Sequence, residues 1–280
     1  MPRQTTASLT TPSGTVEIPT IGFGVWQVPD EEVDAALGTA LEVGYRHVDT
    51  ARLYGNERGV GRALAASDLG RDEVFVTTKV WNDDHGRDAT LAAFDASMER
   101  LGLDVLDLYL IHWPVPARGL YVETWRALQE LRDDGRVRAI GTCNFHAEHL
   151  QRLHDETGEW PSINQIELHP YLQQAPLRAF NARHGIVTES WSPLASGRKV
   201  LDDEVIASIA QEHGATPAQV VIAWHRALDL VVLPKSVTPS RIAENLAAVD
   251  LELTAQQVDM ISRLDRGFRT GPNPEAFNGA

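Results

Sequence analysis

The sequence predicts an α/β fold: a closed (β/α)8 barrel with an N-terminal β-hairpin across its bottom and two extra helices. Three observations carry this reading. Short β-branched runs alternate with longer amphipathic stretches along the chain, and eight such units follow one another. A length of 280 residues suits one barrel, and no linker rich in Gly, Ser or Pro interrupts it, so 1–280 reads as a single domain. No Gly-x-Gly-x-x-Gly follows the first strand, which removes the usual phosphate loop of a doubly wound sheet.

The hairpin comes first: Ser8–Thr10, a Pro12-Ser13-Gly14 turn, then Thr15–Ile18. The eight barrel strands are expected at Thr20–Phe23, Arg46–Asp49, Val74–Lys79, Val105–His112, Val137–Thr142, Ile163–Glu167, Ile186–Trp191 and Leu230–Pro234. The first helix spans Asp30–Val43, with Val33, Ala36, Leu37, Ala40 and Leu41 on one face, an acidic start, and Gly44 as its C-cap. Further helices are expected near 57–66, 89–101, 121–134, 146–157, 175–184, 202–213, 217–227, 239–248 and 254–264.

Composition narrows the function. The chain carries 25 Lys and Arg against 39 Asp and Glu, a formal charge of −14. That balance disfavours nucleic acid and anionic membrane surfaces as partners. Cys143 is the single cysteine, so no internal disulfide can form, and a reducing, cytoplasmic setting fits. Met1 to Thr20 lacks an apolar run, so no signal peptide is expected, and no stretch is long enough to span a membrane. His146-Ala147-Glu148-His149 lacks the His-Glu-x-x-His spacing, and no metal is expected. Ser190-Trp191-Ser192 has no nucleophile-elbow glycines, which disfavours hydrolase chemistry.

In such a barrel the active site lies at the C-terminal ends of the strands. Those ends carry Asp49, Lys79, His112, Asn144, Gln165, Trp191 and Lys235, with Tyr54 in the loop after the second strand. Taken singly, each is as readily a solvated rim residue, and Asp49 with Lys79 only an ion pair across adjacent strands. Seven polar or aromatic ends converging on one mouth are harder to dismiss, because burying charge is costly and barrel interiors prefer Val, Ile and Leu.

The chain resembles the aldo-keto reductase family, in its bacterial branch that includes 2,5-diketo-D-gluconate reductases. The match rests on Gly44-Tyr45-Arg46-His47-Val48-Asp49-Thr50-Ala51 with Glu57 and Val60-Gly61, on Gly141-Thr142-Cys143-Asn144-Phe145, and on Leu233-Pro234-Lys235-Ser236 with Arg241, Glu244 and Asn245. Echoes at Gly22–Trp26, His112-Trp113-Pro114 and Asn164–Tyr171 extend it over roughly residues 8–265 in order. The resemblance implies reduction of aldehydes and ketones with NADPH as cofactor, by a monomer. An alternative within it is an NADPH-binding regulatory or sensor barrel with little turnover.

The resemblance places a catalytic tetrad on Asp49, Tyr54, Lys79 and His112. A free phenol has a pKa of about 10, so Tyr54 needs help as a proton donor. Lys79 is expected to lower that pKa, Asp49 to hold Lys79 charged, and His112 to position the carbonyl oxygen. Trp191 is implied to stack on the nicotinamide, with Asn144 and Gln165 bonding its carboxamide. Ser192 and Leu194 would line the pyrophosphate. Lys235, Ser236, Thr238 and Arg241 form a cationic, hydroxyl-rich patch suited to a 2′-phosphate, and Glu244 and Asn245 would reach the adenine. Cys143 stands where serine is commoner, Thr142 where an aliphatic residue is, and Trp191 where tyrosine is. The substrate pocket would be framed by Trp26, Tyr54, Trp81, His112 and Trp113. The tail from Gly267 to Ala280 reads as a lid carrying Phe268 or Phe277 into that pocket, or as loose chain.

Overall fold

The computed structural model describes residues 5–197 and 199–277. The expectations that fall on the first four and last three residues lie outside them. A hairpin of β1 (Thr6–Thr11) and β2 (Gly14–Pro19) leads the chain, paired from Thr6↔Pro19 to Thr11↔Gly14. Then come β3 (Phe23–Gly24), α1 (Asp30–Val43), β4 (His47–Asp49), α2 (Glu57–Ala66), β5 (Phe75–Val80) and α3 (Arg87–Leu101). The series continues with β6 (Leu106–Ile111), α4 (Tyr121–Asp133), β7 (Val137–Cys143), α5 (Ala147–Thr157), β8 (Ile163–Glu167), α6 (Ala175–Arg183) and β9 (Val187–Trp191). It ends with α7 (Glu204–His213), α8 (Pro217–Ala227), β10 (Val231–Val232), α9 (Pro239–Ala247) and α10 (Ala255–Ser262). Two helices, α7 and α8, lie between β9 and β10, and α10 follows the last unit.

Strands β3 to β10 run parallel in sequence order. The ring closes between its two ends: Ile21 bridges Val232, Gly22 N–H donates to the Val232 carbonyl at 2.9 Å, and Val232 N–H donates to the Thr20 carbonyl at 2.8 Å. Both closing strands are shorter than the sequence suggests. The expected run to Pro234 stops at Val232, since proline has no N–H for a ladder. Helix α7 starts at Glu204 rather than 202, because the Asp203 carboxylate accepts from Val205 N–H at 3.0 Å and fixes the cap there.

Side-chain alternation divides the barrel into two apolar zones and one polar one. Outward residues such as Val48, Val76, Tyr109, Ile140 and Val232 pack against helix residues such as Leu37, Phe94, Leu128, Leu150 and Val220. Inward residues at the N-terminal end, among them Phe75, Leu108, Ala139, Ile163 and Val231, meet Leu9, Val16 and Ile18 of the hairpin. The hairpin is therefore the floor of the barrel, pinned by Ser162 Oγ donating to the Thr10 carbonyl at 2.6 Å. Burying each such Leu or Ile side chain contributes roughly 1.5–3 kcal/mol. Above this apolar floor the interior turns polar, with His47, Asp49, Lys79, Gln165 and Glu189 all buried. Glu57 anchors the wall outside: it accepts from Thr78 Oγ1 at 2.6 Å and from Arg100 Nε at 2.7 Å, tying α2 to β5 and α3.

The wall is tight at Gly141 in β7. A Cβ there would lie 2.5 Å from Ile163 Cγ2, 2.7 Å from the Ile163 carbonyl oxygen and 2.8 Å from Leu110 Cδ2. Gly141→Ala is expected to cost about 1–3 kcal/mol through forced displacement of β8. Thermal unfolding followed by circular dichroism should show a Tm several degrees lower. An unchanged Tm would contradict this packing.

Candidate active site

The mouth of the barrel is built on β4. Its last residue, Asp49, points inward, and the chain then leaves through Thr50. Thr50 Oγ1 donates to Asn56 Oδ1 at 2.8 Å, and Asn56 Nδ2 donates to the Val25 and Val28 carbonyls, both at 2.9 Å. These bonds clamp the loop of 50–56, whose single helical turn, Arg52–Tyr54, carries Tyr54 over the mouth. Lys79, near the end of β5, is fully buried. Its Nζ donates to Asp49 Oδ1 at 2.7 Å, to Asp49 Oδ2 at 2.8 Å and to the Thr50 carbonyl at 2.9 Å, and it reaches the Tyr54 hydroxyl at 3.5 Å. The His112 ring meets Tyr54 edge-on, 5.7 Å between centroids. The four residues of the expected tetrad come together from three strands and one loop.

The electrostatics differ from expectation at one point. Burial pushes Tyr54 above its ordinary pKa, and the opposing pull of Lys79 is smaller. Tyr54 thus rests as a phenol with its proton in place, rather than as a group brought toward phenolate. Burial also works against the Lys79 ammonium, but Asp49 and Tyr54 outweigh it and hold the amine protonated. Burial, and then the charge of Lys79, take His112 well below the usual imidazole range. At neutral pH the mouth therefore offers a phenol proton, a fixed ammonium behind it and an uncharged imidazole.

Residues expected to hold a cofactor lie around the same rim. Asn144 follows β7 with φ 65°, in the left-handed region. Its Nδ2 donates to the His112 carbonyl at 3.0 Å, and its Oδ1 accepts from Trp191 Nε1 at 2.9 Å. Gln165 is buried deeper: Nε2 donates to Asp49 Oδ2 at 2.9 Å and to Glu189 Oε2 at 2.7 Å, leaving Oε1 on the Cys143 side, 3.6 Å from Sγ. The loop after β9 places Ser192, Ala195, Ser196 and Lys199 in the left-handed region, a concentration of strain that marks functional loops. Leu194 packs on the core below it. Lys235, Thr238 and Arg241 stand exposed beside the N-terminus of α9, with Ser236 half-buried between them. The side chains of Lys235 and Arg241 make no ion pair or hydrogen bond with the described residues. Glu244 Oε1 accepts from Thr216 Oγ1 at 2.7 Å. Asn245 is buried, and its side-chain amide has no partner among the described residues.

These groups fit a phosphorylated dinucleotide. Unpaired cations at a helix N-terminus suit phosphate, and an amide with no protein partner suits a base edge.

Aromatic rings line the mouth without a break. Trp26, 48% exposed, lies 4.8 Å from Tyr54 between centroids. Trp81 lies 5.1 Å from His112, and Phe277 of the tail docks 4.4 Å from Trp113 and 6.4 Å from Trp81. Phe268, the other tail aromatic, stays outside, 6.0 Å from the Arg266 guanidinium. The tail through Phe277 lies across the mouth as a strap.

Its anchor is Glu167, the last residue of β8, which sequence reasoning quoted but gave no role. The buried Glu167 carboxylate accepts from Thr270 N–H at 2.6 Å, Thr270 Oγ1 at 2.7 Å and Gly271 N–H at 3.1 Å. Burial works to raise its pKa, and hydrogen bonds from His169 and Thr270 outweigh it and keep the group ionised. Gly271 lies so close to Trp191 that a Cβ would fall 2.5 Å from the indole. A second tether joins His146 Nδ1 to Glu275 Oε1 at 2.9 Å, with Glu148 alongside. The strap lies more than a hundred residues from Glu167 in sequence, so no local signal could show the contact. No motif marks Glu189 either, although its parity with Trp191 on β9 aims it inward.

The aldo/keto reductase family pattern matches residues 20–266. Methylglyoxal reductase DkgA of Escherichia coli (strain K12) is 55% identical over 263 residues, covering 94% of this chain and 95% of its own. An aldo-keto reductase of Mycolicibacterium smegmatis is 54% identical over 261 residues, covering 93% and 94%. A solved structure of a Gox0644 variant in complex with NADPH superimposes with a TM-score of 0.93 at 50% identity, covering 99% of each chain. That of a Bombyx mori aldo-keto reductase in complex with NADP gives 0.88 at 33% identity, covering 96% and 95%. Fold, mouth and sequence agree: the chain belongs to the aldo/keto reductase family.

Proposed function

We propose that this protein is an NADPH-dependent reductase of small aldehydes and ketones, with Tyr54 as the proton donor. One observation carries the reading. A buried ammonium, fixed by Asp49, stands 3.5 Å behind a phenol at an aromatic-lined mouth, with a neutral imidazole beside it.

Carbonyl reduction needs a hydride at carbon and a proton at oxygen. The bound cofactor supplies the hydride, which no side chain can. Tyr54 holds the proton, and its hydroxyl faces the mouth. As the proton leaves, negative charge grows on the phenolic oxygen, and the Lys79 ammonium already in place stabilises it without reorganisation. His112 donates a hydrogen bond to the carbonyl oxygen and orients it. Trp26, Trp81, Trp113 and Phe277 exclude water and shape a site for a compact substrate. The name of methylglyoxal reductase DkgA supports a small dicarbonyl as one such substrate.

For the cofactor, Trp191 would stack on the nicotinamide, Asn144 and Gln165 would bond its carboxamide, and Ser192 and Leu194 would border the pyrophosphate. Lys235, Ser236, Thr238 and Arg241 would take the 2′-phosphate, and Glu244 and Asn245 the adenine. Asn144 Oδ1 already accepts from Trp191 Nε1 and has a second lone pair for the carboxamide. The protein works as a monomer in the cytoplasm. The buried, unpaired Cys143 supports a reducing compartment, and no helix among the described residues is long and apolar enough to cross a membrane.

Two variants test these roles. Tyr54→Phe keeps the ring and removes the proton, so NADPH oxidation with methylglyoxal, followed at 340 nm, should fall by about 10²-fold or more. NADPH binding, read by quenching of tryptophan fluorescence, should change little. Full turnover in this variant removes Tyr54 from the mechanism. Arg241→Ala should raise the Kd for NADPH about tenfold while changing that for NADH far less, since a guanidinium–phosphate contact contributes on the order of 1.5–3 kcal/mol. Equal losses for both cofactors would take the 2′-phosphate away from Arg241.

A further inference from the structure

A second carboxyl lies beneath the Asp49–Lys79 pair, and the mechanism above leaves it unused. Glu189 stands two residues before Trp191 on β9, so both side chains face into the barrel. It is fully buried. Its Oε2 accepts from Gln165 Nε2 at 2.7 Å, and that same nitrogen donates to Asp49 Oδ2 at 2.9 Å. The two carboxyls therefore share one uncharged amide. Oε1 has no hydrogen-bond partner, and His47 Nε2 stands 3.8 Å from it.

The charges around Glu189 are already balanced. From β4 come His47 and Asp49, from β5 Lys79 with the hydroxyl of Thr77, from β7 Cys143, from β8 Gln165, and from β10 the apolar Val231. Lys79 is neutralised by Asp49 at 2.7 Å. Burial takes the His47 imidazole down to about 4, so it is neutral, and burial keeps Cys143 a thiol. An ionised Glu189 would be a buried charge with no counter-ion, so the acid keeps its proton at neutral pH. Burial, reinforced by Asp49, pushes it up to about 8. A positive charge arriving above Gln165 would change that balance. Nicotinamide rings supply such a difference: the reduced ring is neutral and the oxidised ring is a cation.

We propose that Glu189 is a proton site linked to the oxidation state of the bound nicotinamide, protonated beneath the reduced ring and ionised beneath the oxidised one. The inference rests on the placement of the nicotinamide against Trp191, Asn144 and Gln165. It is a binding equilibrium: protonated enzyme plus NADP+ gives the carboxylate complex plus one proton in bulk water. Only the O–H bond of Glu189 breaks, and no electrons move. Linkage fixes the sign. A cation that favours the carboxylate is itself bound more tightly as pH rises through the titration, and NADPH gains nothing. Each unit by which the cation lowers the acid's pKa tightens NADP+ about tenfold on the alkaline side. At lower pH the protonated acid lets the oxidised cofactor leave more readily.

The test is proton release on cofactor binding, measured by calorimetry between pH 7 and 8 in buffers of different ionisation enthalpy. Protons of the 2′-phosphate are common to both cofactors and cancel in the difference. The wild type should release roughly 0.5–1 proton more per NADP+ than per NADPH. Glu189→Gln, which mimics the protonated acid, should abolish that difference, and Tyr54→Phe should preserve it. Glu189→Leu should repeat the Gln result if the amide disturbs folding. Equal release for the two cofactors in the wild type, or a difference that survives in both Glu189 variants, overturns the inference. A Gln165→Met variant that binds both cofactors as tightly as wild type overturns instead the nicotinamide placement on which it stands.

Discussion

An ammonium can be buried completely inside a β-barrel only beside its counter-charge. Lys79 has no exposed surface, and its hydrogens go to both oxygens of Asp49 and to the Thr50 carbonyl. Removing either partner would leave an uncompensated buried charge, which costs about 3–5 kcal/mol. The pair therefore fixes more than chemistry. It fixes the stagger of β4 against β5, and it holds the start of the loop that carries Tyr54. The apolar floor of hairpin and lower barrel excludes water from below, so the field of the ammonium reaches the phenol little screened.

The rest of the site elaborates that field. Gln165 bridges Asp49 to Glu189, which extends the polar interior across to β9 and to the foot of Trp191. Glu167, one turn of the pleat above Gln165, holds the strap that backs Trp191 and brings Phe277 against Trp113. Strand β8 thus supplies the floor of the cofactor rim with one side chain and the anchor of the substrate wall with the next on the same face.

Much of this is legible in the chain itself, because the signals are local. Helices α1, α2 and α8 coincide with their expected bounds, since apolar stripes and caps lie within each segment. The strand ends gave Asp49, Lys79 and His112 because side chains at a strand terminus have one direction to point. What sequence could not show depends on sums over space. The resting state of Tyr54 is set by burial outweighing Lys79, two effects of opposite sign whose sizes depend on depth. The docking of Phe277 rather than Phe268, and the clasp of Glu167 on Thr270, join residues with no pattern between them. Glu189 was within reach of a period of two but lay between better-marked neighbours.

The arrangement stands or falls on whether Lys79 acts through its charge. Lys79→Met keeps the length of the buried chain and removes the ammonium, so NADPH binding should survive while kcat for carbonyl reduction falls by about 10²–10⁴. If Lys79→Met instead reduces methylglyoxal within a few fold of wild type, with NADPH bound equally well, the phenol does not depend on the ammonium and the electrostatic account is wrong.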